Sequence, residues 1–515
     1  MTGPIHRRRL LSIGGGLTFL GAAAPFAAQL AAAGSAAGQT AADYRALVCI
    51  YLNGGNDSNN TVLATDTDSY DRYFAARNTG TDPIALLPPG TPPLAIGATS
   101  PITRRVAKAG SPEHLGGILP IVPRTPQPIP AGTSATVRTF GLHPVLGPLK
   151  TLFDAGRLGV VANVGTLIKP ITKAEYQAGT VPFPANLFSH NDQSSTWQAG
   201  ASEGATVGWG GRLGDMITGM NGANTVFTAM SVAGNAVYLS GNNVIQFQVS
   251  PGAQPALKIN GSTSLPTGSD LSPARLRDIA QDQTSASLFA ADYGTVVNRS
   301  MAAANSLNTL FGSAAARAIA VPPPLVNPVT GQSAPNALSD QLYTVARMIA
   351  VASSLGLKRQ VFFVQIGGWD FHDTQSPDQA VLLATLAGAM SYFDSAMGNV
   401  GGLNMRRNVT AFTASDFSRT FTTNADGTDH AWGGHHFVMG GAVKGGDIFG
   451  QYPTLGTDRG TFRNPDMAGR ALVPTTAVEQ YAATMGRWLG VSESGLDTIF
   501  PNLKNFPRRD LGFMN

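Results

Sequence analysis

Two distant segments of this chain repeat one pattern: a continuous apolar run, a pair of glycines, then a carboxylate. Leu47-Val-Cys-Ile-Tyr-Leu52 runs into Gly54, Gly55 and Asp57, and Val361-Phe-Phe-Val-Gln-Ile366 runs into Gly367, Gly368 and Asp370. Apolar runs without alternation mark strands covered on both faces, as in a parallel sheet between helices. The glycines permit a tight turn and close backbone approach, and a carboxylate just beyond them faces the crevice at the carboxyl end of the sheet. Asp57 could equally close an Asx turn. Either way the pattern restricts the chain to an α/β fold.

The intervening segments agree. Leu338, Leu342, Val345, Ile349 and Ala352 fall on one helix face ended by Gly356, and Val381, Leu382, Leu386, Met390 and Phe393 mark a second helix. The second leads through Gly401 and Gly402 to a β-prone run, Val409–Ala414, that ends at Asp416. This is a β-α-β unit. Right-handed crossovers place consecutive parallel strands side by side, so Asp370, His372 and Asp416 are expected on one sheet edge, joined by Asp57 if its strand is also parallel. Upstream, Leu142–Gly156 reads as a short helix opened by Pro144 and Leu158–Asn163 as a strand, while Thr475–Leu489 reads as a final helix packed on the sheet.

The chain has 515 residues, 43% hydrophobic and 13% charged, enough for a sizeable core, and 60 Gly with 34 Pro supply long connections. Two stretches, residues 78–137 and 220–335, lack sustained periodicity. They are read as insertions in a single domain over 45–515, the second containing short alternating runs such as Val244–Val249. Residues 1–38 look like a removable twin-arginine export signal, because Arg7-Arg8-Arg9 precede an uncharged Ala- and Gly-rich run with small residues at Ala31–Ala33 for cleavage. The mature protein is then expected to be periplasmic or secreted, with no transmembrane segment. Removing those three arginines from the 35 basic residues leaves 32 against 31 acidic, so no nucleic-acid-binding surface follows. The single cysteine, Cys49, permits no intrachain disulfide and reads as a core residue.

Chemistry concentrates between Asp416 and Gly441. Asp426, Asp429, His430, His435 and His436 share a Gly- and Asn-bearing loop between two apolar runs. Carboxylates and imidazoles together suit a divalent metal such as zinc, manganese or iron, although loop Asp and His also cap turns. A second cluster, Ser189-His190-Asn191-Asp192-Gln193-Ser194-Ser195-Thr196-Trp197, sets hydroxyls beside a histidine and an aspartate. A nucleophile could sit there, or its residues could cap a helix entering at Thr196 and Trp197.

Several motifs occur together in one order: Gly54-Gly55-Asn56-Asp57 with Asn60-Thr61, Leu142-His143-Pro144, Ser189-His190, Gly367 through Gln375, Ser415-Asp416-Phe417-Ser418-Arg419-Thr420, and Gly427-Thr428-Asp429-His430. By them the chain resembles the domain-of-unknown-function family 1501 over nearly all of its mature length. That family is exported, often by the twin-arginine route, and is similar at fold level to the alkaline phosphatase and sulfatase superfamily. The resemblance implies a three-layer α/β/α sandwich with a mostly parallel central sheet and metals at the carboxyl ends of its strands.

By position, the resemblance makes Asp57, Asp370, His372, Asp416 and His430 metal ligands. It puts Ser194, Ser195 or Thr196 where the superfamily nucleophile falls. Phe417 stands where superfamily enzymes usually have a histidine, so one metal site is expected either to be weakened or to be completed by His435 or His436. The implied cofactor is a divalent metal, with zinc, manganese and calcium all open. The implied activity is hydrolysis of small or polymeric phosphate or sulfate esters, with Arg419 gripping a substrate oxygen, unless that arginine is a structural ion-pair partner. The rival is a non-catalytic, metal-stabilised exported protein whose insertions bind cell-surface polysaccharide or a partner. A co-exported protein of the unknown-function family numbered 1800 is an implied partner. A serine hydrolase pairing Ser195 with His430 lacks the elbow motif and ranks last.

Overall fold

A computed structural model describes residues 44–131, 133–252, 278, 281–284, 287–459 and 462–515. The leader expected at 1–38 lies outside the described residues. The central sheet is built from β1 (Arg45–Asn53), β2 (Leu158–Gly165), β3 (Ala229–Ser231), β4 (Phe247–Gln248), β5 (Arg359–Gly367), β6 (Val409–Ser415), β7 (Gly434–Met439), β8 (Ile448–Phe449) and β9 (Thr476–Ala477). The spatial order is β8-β2-β7-β6-β1-β5-β3-β4, with β9 paired to β2. All pairings are parallel except those of β7, which runs antiparallel to both β6 and β2.

The long strands are mostly apolar and mostly buried because helices cover both faces. Along β1, Ala46, Val48, Ile50 and Leu52 join one core with helices α2 (Gly147–Asp154), α5 (Ala337–Val351) and α6 (Gln375–Met397). Leu47, Cys49 and Tyr51 join the opposite core, with α3 (His190–Ala199), α4 (Trp209–Ile217), α7 (Val478–Leu489) and α8 (Glu493–Ile499). The two-residue period of a strand divides its side chains between the two layers. By length and composition α6 could cross a membrane, but 72% of its apolar window is buried inside the protein, as in a core helix.

Two expectations change. β5 and β6 are not neighbours, because β1 lies between them and pairs in parallel with each. The β-α-β pattern fixes direction but not insertion of an earlier strand. Helix α3 begins at His190, six residues before the expected entry at Thr196 and Trp197, with Ser189 as its N-cap. The stretch 78–137 carries a short helix, Pro112–Leu115, and a strand, Leu119–Ile121, which pairs with Phe140–Leu142 in a small antiparallel sheet.

Candidate metal centre

The paired glycines make the loops after β1 and β5 touch each other. A Cβ on Gly54 would lie 2.8 Å from the Asp370 backbone nitrogen, and one on Gly55 would lie 2.5 Å from the Phe417 ring, so both positions must stay bare. Both also have positive φ, +122° and +86°, which glycine adopts without strain. A tight turn after β5, with the His372 amide donating to Asp370 O at 3.1 Å, then presents Asp370 and His372 together. The loop after β6 folds back on that turn: Thr428 N–H donates to Phe371 O at 2.8 Å, bringing His430 alongside.

The fourth participant comes from α3. His190 stands in its first turn, and its Nδ1 lies 2.8 Å from Asp416 Oδ2. Asp416 is itself fixed by the Gly54 N–H on Oδ1 at 3.3 Å and is buried. His430 Nδ1 lies 2.7 Å from Phe188 O, and a carbonyl can only accept, so that nitrogen carries the proton. Each neutral imidazole therefore turns a lone pair on Nε2 inward. His190 Nε2 is 3.4 Å from Asp370 Oδ2, and His430 Nε2 is 3.2 Å from Asp370 Oδ1. Ligand atoms of His190, Asp370 and His430 all lie within 4.8 Å of one another, close enough to hold a metal ion. His372 Nε2 flanks them, 3.1 Å from His430 Nε2 and 3.2 Å from Asp370 Oδ1, with its Nδ1 3.5 Å from Asp429.

Phe417 fills the place where a histidine was expected. Its ring lies 4.7 Å from that of His190 and 4.6 Å from that of His430, walling both imidazoles on their apolar side. Electrostatics tune the donors in opposite directions. The hydrogen bond to Asp416 raises the His190 pKa above its ordinary value, outweighing burial. Burial lowers that of His430. Burial alone would raise the Asp370 carboxyl, but the Arg419 ion pair, helped by His190 and His372, outweighs it and holds the group below the usual range.

The other expected site residues lie elsewhere, for identifiable reasons. Asp57 is completely buried, paired with both terminal nitrogens of Arg77 from helix α1 (Thr67–Arg77) and held by Gln375. Its carboxylate also caps the turn Ser58–Asn60, which is the Asx reading. Asp416 orients His190 rather than facing the cluster. His435 and His436 face the two cores on alternate sides of β7. His435 takes the Asn163 N–H on Nδ1 at 3.0 Å and stacks on Tyr452, while His436 packs against Trp197, and burial lowers both pKa values to about 3. Neither joins the cluster of His190, Asp370 and His430.

Ser195 Oγ donates to Ser202 O at 2.8 Å, and Thr196 Oγ1 donates to Asp192 O one turn back at 2.7 Å. Both belong to the body of α3, away from its His190 end. Arg419 is 1% exposed and gives Nη1 to Asp370 at 2.8 Å. It positions that carboxylate, as a structural ion-pair partner would. Asp426 caps the start of α6 through the amide of Thr374. His190 was missed as a ligand because its neighbours read as helix-capping residues; its place beside Ser189 in a shared motif was the available signal.

A cavity of about 580 Å³ opens beside the cluster, lined by His372, His430, Asp429, Tyr176, Phe188 and Arg470 among others. Arg470 stands in the turn between Met467–Ala468 and Ala471–Leu472 and anchors one nitrogen on Asp429 at 2.7 Å. Its side chain is half exposed.

An imidazole and carboxylate cluster at the carboxyl end of a mixed, mostly parallel sheet defines an α/β protein with a candidate metal centre. The chain belongs to the family described as protein of unknown function (DUF1501), whose model matches residues 44–500. No curated protein matches it. Among solved structures, a crystal structure of Ps i-CgsB in complex with k-i-k-neocarrahexaose is similar over 70% of this chain and 71% of that one, at 11% identity and a TM-score of 0.29. A crystal structure of Ps i-CgsB is similar over the same shares, at 9% identity and a TM-score of 0.30. Likenesses this slight carry no argument about chemistry.

Proposed function

We propose that this protein is an exported, metal-dependent hydrolase of phosphate or sulfate esters on an alkaline-phosphatase-like α/β/α sandwich. The observation that carries the reading is the inward convergence of His190 Nε2 and His430 Nε2 on Asp370 while their Nδ1 atoms are held by Asp416 and Phe188 O. Outer hydrogen bonds of that kind fix tautomer and orientation in metal-ligating histidines. Two or three nitrogens with one carboxylate suit zinc, manganese or iron, and fit calcium poorly because calcium takes oxygen ligands. A divalent ion there would supply Lewis-acid polarisation of an ester oxygen and a more acidic water.

The chain's own groups support the rest. Arg419 keeps Asp370 ionised and aimed inward. The adjoining cavity admits an ester, and Arg470 at its rim offers a guanidinium to a second anionic group. The test is metal content by plasma mass spectrometry, with turnover of p-nitrophenyl phosphate and sulfate, for wild type and Asp370→Ala. Near-stoichiometric metal and turnover, both lost in the variant, are expected. Metal-free wild-type protein that is fully folded would sink the reading.

One observation favours the rival. Of the three expected nucleophiles, Ser195 and Thr196 bond to carbonyls within and beside α3, and Ser194 accepts from Tyr51 at 2.8 Å and from Gln198 at 3.1 Å. In that reading the metal only stiffens the loops and the stretches 78–137 and 220–335 bind surface polysaccharide or a co-exported protein such as a member of family 1800. Stoichiometric metal, no turnover of any ester, and loss of stability in Asp370→Ala would select it. Export by the twin-arginine route belongs to both readings and is tested by replacing Arg7 and Arg8 with lysine and following the chain's location.

A further inference from the structure

The amino end of the central sheet, opposite the candidate metal centre, gathers cations. Arg157 precedes β2, Arg406 and Arg407 precede β6, and Lys444 follows β7, which ends at the same edge because it runs antiparallel. Arg124 joins them through its amide, which donates to Gly446 O at 3.0 Å. Three aspartates stand among these groups, and each is already engaged. Asp394, near the end of α6, takes Arg157 and Arg406, each at 3.1 Å; Asp154 pairs with Lys150; Asp447 accepts from the amide and hydroxyl of Thr125. Arg124, Arg407 and Lys444 are left exposed, with no ion pair or side-chain hydrogen bond among the described residues.

Apolar side chains stand out between these cations. Leu403, closing the turn from Val400 just before Arg406, is 66% exposed, and Val122, two residues before Arg124, is 84% exposed. Apolar tips beside unpaired cations suit a bilayer with anionic headgroups, where guanidinium and ammonium groups meet phosphate and apolar side chains enter the acyl boundary. A nucleic acid is commonly gripped by stacking on aromatic rings as well, and no exposed aromatic side chain belongs to these loops. The course of the chain points the same way. Asn408 Nδ2 donates to Tyr44 O at 2.8 Å, so the chain enters the fold at this patch. Residues 1–38, read from the sequence as an export leader with a long uncharged run, end only a few positions upstream. A bilayer engaged by that run lies within reach of this end.

We infer that the amino end of the sheet docks on the surface of a bilayer containing anionic phospholipid. Arg124, Arg407 and Lys444 face the headgroups, and Leu403 and Val122 enter the interface. The candidate metal centre, at the other end of the same strands, then faces away from the membrane. The docking needs neither a metal nor hydrolysis.

Cosedimentation with vesicles tests this. The chain from residue 39 onward is used, because it spans every described residue and omits a basic, apolar leader that could bind lipid itself. Vesicles are phosphatidylcholine alone or with about one-third phosphatidylglycerol. Binding is expected only to the anionic vesicles and should fall steeply between about 0.05 M and about 0.5 M salt. Arg407→Glu with Lys444→Glu should lower the partition coefficient at least roughly tenfold. Leu403→Asn should weaken binding at every salt concentration. No binding to the anionic vesicles, equal binding to both kinds, or binding unmoved by the charge reversal overturns the inference. Retention on heparin without vesicle binding would assign the cations to a soluble polyanion and overturns it equally. The comparison of the two vesicles needs no variant, so it stands even if a substitution disturbs the fold.

Discussion

Asp416 Oδ2 lies 2.8 Å from His190 Nδ1, joining the end of a central strand to the first turn of a helix 226 residues away in sequence. This contact fixes which nitrogen of His190 faces Asp370. It also makes Asp416 a positioning residue, so the acidic group in the most suggestive stretch of the sequence acts one step removed from the cluster.

The contact has a pH signature. With its pKa raised by Asp416, protonated His190 contributes stability to the metal-free protein that is fully present below the unfolded value of about 6.5 and is lost as pH rises through the folded pKa. Asp416→Asn should bring the His190 midpoint down towards or below 6.5, read by NMR titration of the imidazole in metal-free protein. A midpoint unmoved by the substitution would contradict the assigned cause. In metal-containing solution the same proton competes for Nε2, so affinity should weaken as pH falls through that midpoint.

His190 and His435 should separate ligand from core histidine. His190→Ala is expected to drop metal well below stoichiometric while the fold survives. His435→Ala removes a buried ring stacked at 4.5 Å on Tyr452 and should cost about 2–5 kcal/mol of stability with metal retained. Urea unfolding and metal analysis of both proteins decide it, and the opposite pattern would restore His435 as a ligand.

Asp57→Ala should act on stability before chemistry. The substitution leaves Arg77, fully buried, without its carboxylate; breaking such a pair costs about 3–5 kcal/mol. Arg77 also donates to Thr420 O and Phe421 O, so the loop that carries Arg419 loosens with it. Denaturant midpoints measure the effect. A variant as stable as wild type but devoid of metal would mean that Asp57 is a ligand after all.

Gly55→Ala tests the role of the bare glycine. The new methyl would meet the Phe417 ring, and the positive φ adds backbone strain, for a combined cost of about 1–3 kcal/mol. Because Phe417 walls both His190 and His430, metal affinity should fall as well. Unchanged stability and affinity would show that the ring has room to move.

Legible in contiguous residues were the α/β class, the long strands β1, β2, β5 and β6, the helices α2, α5, α6 and α7, and the delivery of Asp370, His372 and Asp416 to one sheet edge; His430 joined them only through the family resemblance. Those features are local: period, apolar runs and glycine turns are written in contiguous residues. The recurrence of glycine pairs before carboxylates correctly marked two loops that must approach closely, though what approaches is another loop and Phe417 rather than a ligand.

Which polar groups meet was set by long-range packing. β1 inserts between β5 and β6, a choice set by long-range pairing. Asp57 turns inward because Arg77, twenty residues on, reaches it from a helix. His435 and His436 point into opposite cores because adjacent residues of a strand face opposite ways. His190 reaches the cluster because α3 begins at its capped end rather than six residues later. In each case spacing along the chain leaves the side chain's direction open, and packing of distant elements, with the need to satisfy buried charge, closes it.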